Sequence, residues 1–169
     1  MDESKIFERY YNLALRFLSY RPRSKKEIVD YLNKKSAKSS SLTEEIIAGI
    51  LAKLFEYNFI DDRKFSQFWI EQRTKFKHKP IWVIKLELRQ KGIDHELIEE
   101  ALEALDNTKD TDLTSAKKLA EKKLDFYRGL DRVKRREKVI SFLLRKGFSY
   151  DLVKKVFLDS PPAGGSLEE

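Results

Sequence analysis

Leu88-Arg89-Gln90-Lys91-Gly92-Ile93 returns 55 residues later as Leu143-Leu144-Arg145-Lys146-Gly147-Phe148. Each copy reads as the last turn of an amphipathic helix, stopped by a glycine able to take the left-handed conformation that helix ends favour. Two residues after each glycine stands a capping residue, Asp94 or Ser149, and then a short apolar run. A blurred first copy, Tyr31-Leu32-Asn33-Lys34-Lys35, precedes the second by 56 residues and carries Ser36 where the glycine would be. Repetition at this period marks tandem modules that pack against themselves and their neighbours.

Outward from these turns, apolar residues recur at three- and four-residue spacing, the period of a helix face. Ile6, Tyr10, Leu13, Ala14, Phe17 and Leu18 form the first face, with Ser4 as the expected cap. Ser24 and Glu27 form a capping-box pattern ahead of Ile28, Tyr31 and Leu32. Residues 36–41 read as a polar loop, and a third helix runs from about Thr43 to near Asn58. Asp61 or Asp62 caps a long helix through Phe65, Phe68, Trp69 and Phe76; Pro80 opens the next, and Asp94 the one after Gly92. Residues 106–112 read as a polar joint, followed by helices carrying Leu119 and Leu124, then Val133, Val139 and Leu143, then Val153 and Val156. The expected fold is all-α: three tandem three-helix repeat modules in an elongated arrangement whose curvature the sequence leaves open. Their expected bounds are residues 1–60, 61–106 and 107–158, with a disordered tail over 159–169. A single globular nine-helix domain is the alternative.

The 169 residues carry 35 basic and 28 acidic side chains, and the excess is uneven. Residues 116–158 hold 14 basic against 5 acidic residues, which favours an acidic partner such as nucleic acid. The plainer reading of such a run is a solvated helix face. Without cysteine there is no disulfide and no thiolate ligand. No apolar run approaches a membrane span and no apolar signal segment opens the chain, so a cytoplasmic protein is expected. His78 and His95 fall at helix starts or joints, outside any metal-ligand pattern. Asp61-Asp62 suit a helix N-terminus, and Glu99-Glu100 suit a solvated face. No phosphate loop or nucleophile elbow is present. These readings point to no catalytic residue, no metal and no cofactor, and to a protein that works by binding.

The candidate binding residues are basic. Arg21 and Arg23 flank Pro22, next to Lys25 and Lys26; Arg73, Lys75, Lys77 and Lys79 line the end of one helix and its joint. Arg89 follows, then Lys118 and Lys122 at helical spacing. The densest group is Arg128, Arg132, Arg135, Arg136 and Lys138, with Arg145 and Lys146 beyond it. Such side chains can neutralise phosphates along a strand without reading bases. Trp82 stands apart. Ile81, Trp82 and Val83 cannot all point inward, so one packs on a neighbouring module or a partner protein.

The segments Arg21-Pro22-Arg23-Ser24-Lys25-Lys26-Glu27-Ile28 and Tyr57-Asn58-Phe59-Ile60-Asp61-Asp62-Arg63-Lys64-Phe65 resemble the RecX family, bacterial regulators of the RecA recombinase. Pro80 with Ile84, the Leu88-to-Ile93 turn and Ile98-Glu99-Glu100-Ala101-Leu102 continue the resemblance, which covers roughly residues 10–158. It implies a modular helical protein that binds the RecA–DNA filament groove, single- or double-stranded DNA included, and hinders filament growth, ATP hydrolysis and strand exchange. It further implies a monomer when free, with roles in DNA repair, recombination and the SOS response. The Ser36–Ser41 stretch, Lys79 before the proline and Trp82-Val83 depart from the family pattern. A general DNA-binding protein and a scaffold-like adaptor are the competing readings.

Overall fold

The computed structural model describes residues 2–37, 42–105 and 108–158, with backbone alone for residues 108 and 109. Among them, nine α-helices follow in three sets of three, with no strand. They are α1 (Glu3–Leu18), α2 (Lys25–Ser36) and α3 (Glu44–Glu56); α4 (Asp62–Glu71), α5 (Ile81–Gln90) and α6 (His95–Glu103); and α7 (Thr108–Phe126), α8 (Arg132–Arg145) and α9 (Tyr150–Leu158). The all-α class and the grouping in threes are as the periodicity implies. The helices gather into two compact units, Met1–Ile70 with Lys85–Ala104, and Glu71–Ile84 with Leu105–Glu169.

In the first unit α1, α2 and α3 pack on one another around Tyr10, Ala14, Ile28, Leu32, Ile50 and Leu54. Burying each isoleucine or leucine side chain stabilises the fold by about 1.5–3 kcal/mol. The rings of Phe17 and Tyr31 stack beside this core with centroids 4.1 Å apart. The first cap differs from expectation: Asp2, not Ser4, is the N-cap, and it accepts from the Ser4 N–H. Asp61 caps α4, accepting from the Arg63 and Lys64 N–H groups at 2.9 and 3.0 Å. Asp62 turns instead to the Lys25 N–H at 2.8 Å.

In the second unit α7, α8 and α9 enclose Ala116, Ala120, Val139, Leu143, Val153 and Val156. Here the expected joint over 106–112 is corrected. Helix α7 begins at Thr108, and Asp112 on it accepts from the Ile81 N–H at 2.9 Å. A helix start following proline leaves that N–H without an internal partner, and the carboxylate supplies one. Residues 106 and 107, the loop residues 38–41 and the expected tail over 159–169 lie outside the described residues.

The expected long helix from residue 62 is also interrupted. After Glu71 the chain makes a π-helical turn over Gln72–Phe76. That wider turn shifts the helical phase, and Phe76, placed on the apolar face by spacing, is 67% exposed. Val133, likewise read as core, is 66% exposed on the first turn of α8.

The two glycine turns repeat one packing device. Gly92 has φ 75°, and a Cβ there would lie 2.7 Å from the Lys26 Cβ. Gly147 has φ 98°, and a Cβ would meet the Trp82 ring at 3.0 Å. Lys26 and Trp82 both sit on the first turn of the middle helix of their set. Their separation is the 56-residue offset of the first two sequence copies.

Candidate nucleic-acid interface

The start of α2 holds the first group of basic candidates, and there an acid gathers them. Ser24 and Glu27 complete the capping box: the Glu27 N–H donates to the Ser24 hydroxyl, and the Ser24 N–H donates to the Glu27 carboxylate. The Arg21 guanidinium donates to both Glu27 oxygens at 3.2 and 2.7 Å. Lys91 Nζ donates to the same carboxylate at 2.8 Å, and Arg23 stands 3.8 Å away. The Ser24 hydroxyl donates to the Lys91 carbonyl at 2.7 Å, tying the Gly92 turn to the cap. Lys91 Nζ also lies 4.2 Å from the Trp69 ring centroid, and Arg21 5.4 Å.

Glu27 is 16% exposed. Burial alone would push its carboxyl up, but the hydrogen bonds and charges of Arg21 and Lys91 outweigh burial and hold it at about 2. Arg23 lies with its guanidinium carbon 3.7 Å from the Phe17 ring centroid, and its buried Nε has no hydrogen-bond partner among the described residues. Burial and the neighbouring Arg21 lower its pKa. Arg21 and Arg23 are thus held in a half-buried network. Lys25 and Lys26 are exposed, Lys26 paired with Asp30 at 2.6 Å.

Beside this network runs a groove of about 690 Å³, with Leu15, Leu18, Pro22, Phe59 and Phe65 among its lining and Arg21, Arg23, Asp61 and Lys64 contributing charge. Farther along the first unit, Arg89 is exposed, and Lys85 pairs with Glu99 at 2.8 Å. That pairing holds the Glu99 carboxyl below its ordinary value.

The remaining candidates fall in the second unit. Lys75 and Lys77 are exposed, Lys75 paired with Glu71; Arg73 and Lys79 are half-buried. The Trp82 indole N–H donates to the Gly147 carbonyl at 2.7 Å, yet the side chain stays 57% exposed. It therefore contacts the third set of helices and still presents ring surface to solvent. Lys118, Lys122, Arg128, Arg132, Arg136, Lys138, Arg145 and Lys146 are all exposed, and Arg135 is half-exposed.

The start of α8 is unusual in its charge. Asp131 caps it, accepting from the Val133 and Lys134 N–H groups at 3.1 and 3.0 Å, but the first turn holds no acid. Arg132, Lys134, Arg135 and Arg136 instead crowd the positive end of the helix dipole, where cations are disfavoured. The repeat offset would start α8 at Arg136, so Arg132, Lys134 and Arg135 belong to an added turn. Aromatic rings lie close by. Phe126 and Tyr127 meet edge to face with centroids 5.0 Å apart, and Lys123 Nζ is 4.7 Å from the Phe126 centroid. Apolar spacing passed over Phe126; its position at a basic helix end was the available signal.

Among the described residues no helix is long and apolar enough to cross a membrane, and no three metal-ligating side chains cluster. Exposed cations in this arrangement can pair with anions.

Comparison with known proteins bears on the three sets of helices one by one. Residues 11–54 match the first three-helix domain of RecX, residues 61–102 the second and residues 110–157 the third. The regulatory protein RecX of Bacillus licheniformis is 37% identical over 161 residues, covering 90% of this chain and 59% of the relative. That of Streptococcus pyogenes serotype M2 is 39% identical over 144 residues, covering 85% and 52%. The chain thus spans a little over half the length of these curated relatives. The crystal structure of RecX from Lactobacillus salivarius superposes with TM-score 0.69 at 29% identity, covering 92% of this chain and 97% of that one. A second crystal structure of regulatory protein RecX superposes with TM-score 0.69 at 30% identity, covering 95% and 80%. With all three of its helix sets matched in order, the chain belongs to the RecX family of regulatory proteins.

Proposed function

We propose that the chain is a non-enzymatic modulator, in the inhibitory direction, of the RecA recombinase. It binds in the groove of the RecA–DNA filament and slows filament growth, ATP hydrolysis and strand exchange. The observation that carries this reading is the ordered match of all three RecX domains to helices whose exposed cations can face phosphates. We assign protein contacts to residues 1–106 and phosphate contacts to the module over 107–158. Linked sites on successive modules raise one another's effective concentration, so individually weak contacts add up to firm binding. The protein acts as a monomer in the cytoplasm and needs no cofactor.

The test is DNA-dependent ATP hydrolysis by the cognate RecA, titrated with this protein, alongside anisotropy on bare DNA. Inhibition well below the ratio that covers the DNA is the expected result. Loss of hydrolysis only once bare DNA is saturated favours the second reading, a general DNA-binding protein. That reading draws on the 14 basic against 5 acidic residues over 116–158. No effect, together with no DNA binding, sinks both.

A further inference from the structure

We propose that residues 126–127 form a stacking platform for single-stranded nucleic acid. Phe126, braced edge to face by the half-buried Tyr127, would take the face of an unpaired base, and the surrounding lysines and arginines the phosphates. The proposal rests on the reading that the chain works on a DNA strand, and goes further by naming the form of nucleic acid it grips.

Phe126 ends α7 and is 71% exposed, the least buried phenylalanine among the described residues. A lone exposed apolar side chain is ordinary on any protein. This one has an ammonium group beside its ring and more cations around it along the chain. Lys123 Nζ lies within 6 Å of three ring centroids, at 4.7 Å for Phe126, 5.8 Å for Tyr127 and 5.0 Å for Phe142. Lys138 approaches Tyr127 at 5.9 Å. On the Tyr127 side opens a cleft of about 380 Å³ lined by Lys134, Lys138, Ser141, Arg145 and the single acid Glu137. The added, acid-free first turn of α8 brings Arg132 and Arg135 to the same end of the helix set.

An occupant must satisfy two demands: regularly spaced negative charge for the cleft, and flat apolar faces for the rings. A duplex meets the first and hides its base faces in the stack. An acidic peptide carries its charge without obligatory flat rings. A single strand meets both, because every unpaired base has a π face next to a phosphate. Stacking of this kind tolerates any sequence, which suits a protein that follows a strand without reading it.

The experiment is anisotropy of fluorescein-labelled oligothymidine of about 20 nucleotides against a blunt duplex of the same length, without RecA. Phe126→Ala is expected to weaken binding to the single strand roughly tenfold and to leave duplex affinity and salt dependence unchanged, since no charge is removed. Phe126→Trp should keep the affinity and gain fluorescence that the oligonucleotide quenches, relative to the wild type. Phe126→Leu, apolar without a π face, should not rescue. Equal loss on both nucleic acids, no loss, or rescue by leucine overturns the platform. If the wild type ignores the oligonucleotide yet lowers RecA hydrolysis, the platform is rejected and the regulatory reading stands. If the Phe126 variants behave as expected and RecA is unaffected, the platform stands and the regulatory reading falls.

Discussion

Gly92 and Gly147 show how much one missing Cβ decides. Each needs a positive φ, and each lets a turn approach a helix that lies far away in sequence. Gly92→Ala adds left-handed strain and drives a Cβ to 2.7 Å from the Lys26 Cβ, which has no freedom to swing aside. Urea unfolding should show a loss of about 2–4 kcal/mol. Gly147→Ala meets the Trp82 and Val83 side chains at 3.0 and 3.1 Å and should lose somewhat less, about 1–3 kcal/mol. A change below about 0.5 kcal/mol in either variant would mean that the turns are not seated as described. The need for glycine was legible in the repeat itself. The neighbour that enforces it was not, because Lys26 is an ordinary cation in sequence and becomes a wall only in the fold.

The helices were legible at their faces and less so at their ends. Apolar spacing placed all nine, since period 3.6 survives most local accidents. It gave no warning of the π-helical turn at Gln72–Phe76, which changes phase without changing composition. It also started the third set too late, because polar Thr108–Asp112 resembles a loop until Asp112 finds the Ile81 N–H. Helix α8 offers the sharpest test at this scale, since the proposed phosphate contacts and helix stability pull in opposite directions there. Replacing Arg132, Arg135 and Arg136 together by glutamine should lower the slope of log K against log salt for single-stranded DNA by about 2. The same change removes cations from the positive end of the dipole, so thermal stability should rise by a few tenths to about 1 kcal/mol. An unchanged slope would move the phosphate contacts to another element.

For the molecule as a whole, acid stability gathers three half-buried carboxyls with opposite signs. Glu27 falls from an ordinary 4.5 to about 2 in the fold. A depressed carboxyl contributes stability that is fully present above the unfolded value, and it is lost as pH falls from about 4.5 toward 2. The shift is worth up to about 3 kcal/mol. Asp62 and Asp112 are raised by burial, against the hydrogen bonds from the Lys25 and Ile81 N–H groups. For them the charged form is the disfavoured one, and that penalty fades as pH falls through their pKa values. Wild type should therefore lose stability in acid less steeply than Glu27 alone would dictate. The gap between wild type and Glu27→Gln, up to about 3 kcal/mol near neutrality, should close toward pH 2. A gap independent of pH would show that Glu27 contributes packing and not charge. The capping box was legible from Ser24 and Glu27, three positions apart. The charges that set Glu27's pKa come partly from Lys91, 64 residues away, and no local pattern could announce that.

That separation has a consequence for how the protein is made. When Glu27 leaves the ribosome, Arg21 is already beside it, but Lys91 has yet to be added and the Ser24 hydroxyl has no carbonyl to meet. At ordinary translation rates the missing 64 residues take roughly 3 to 13 s to appear. Over that interval the start of α2 waits with its acid half-neutralised, so the first unit closes only when its return segment, Lys85–Ala104, has been delivered.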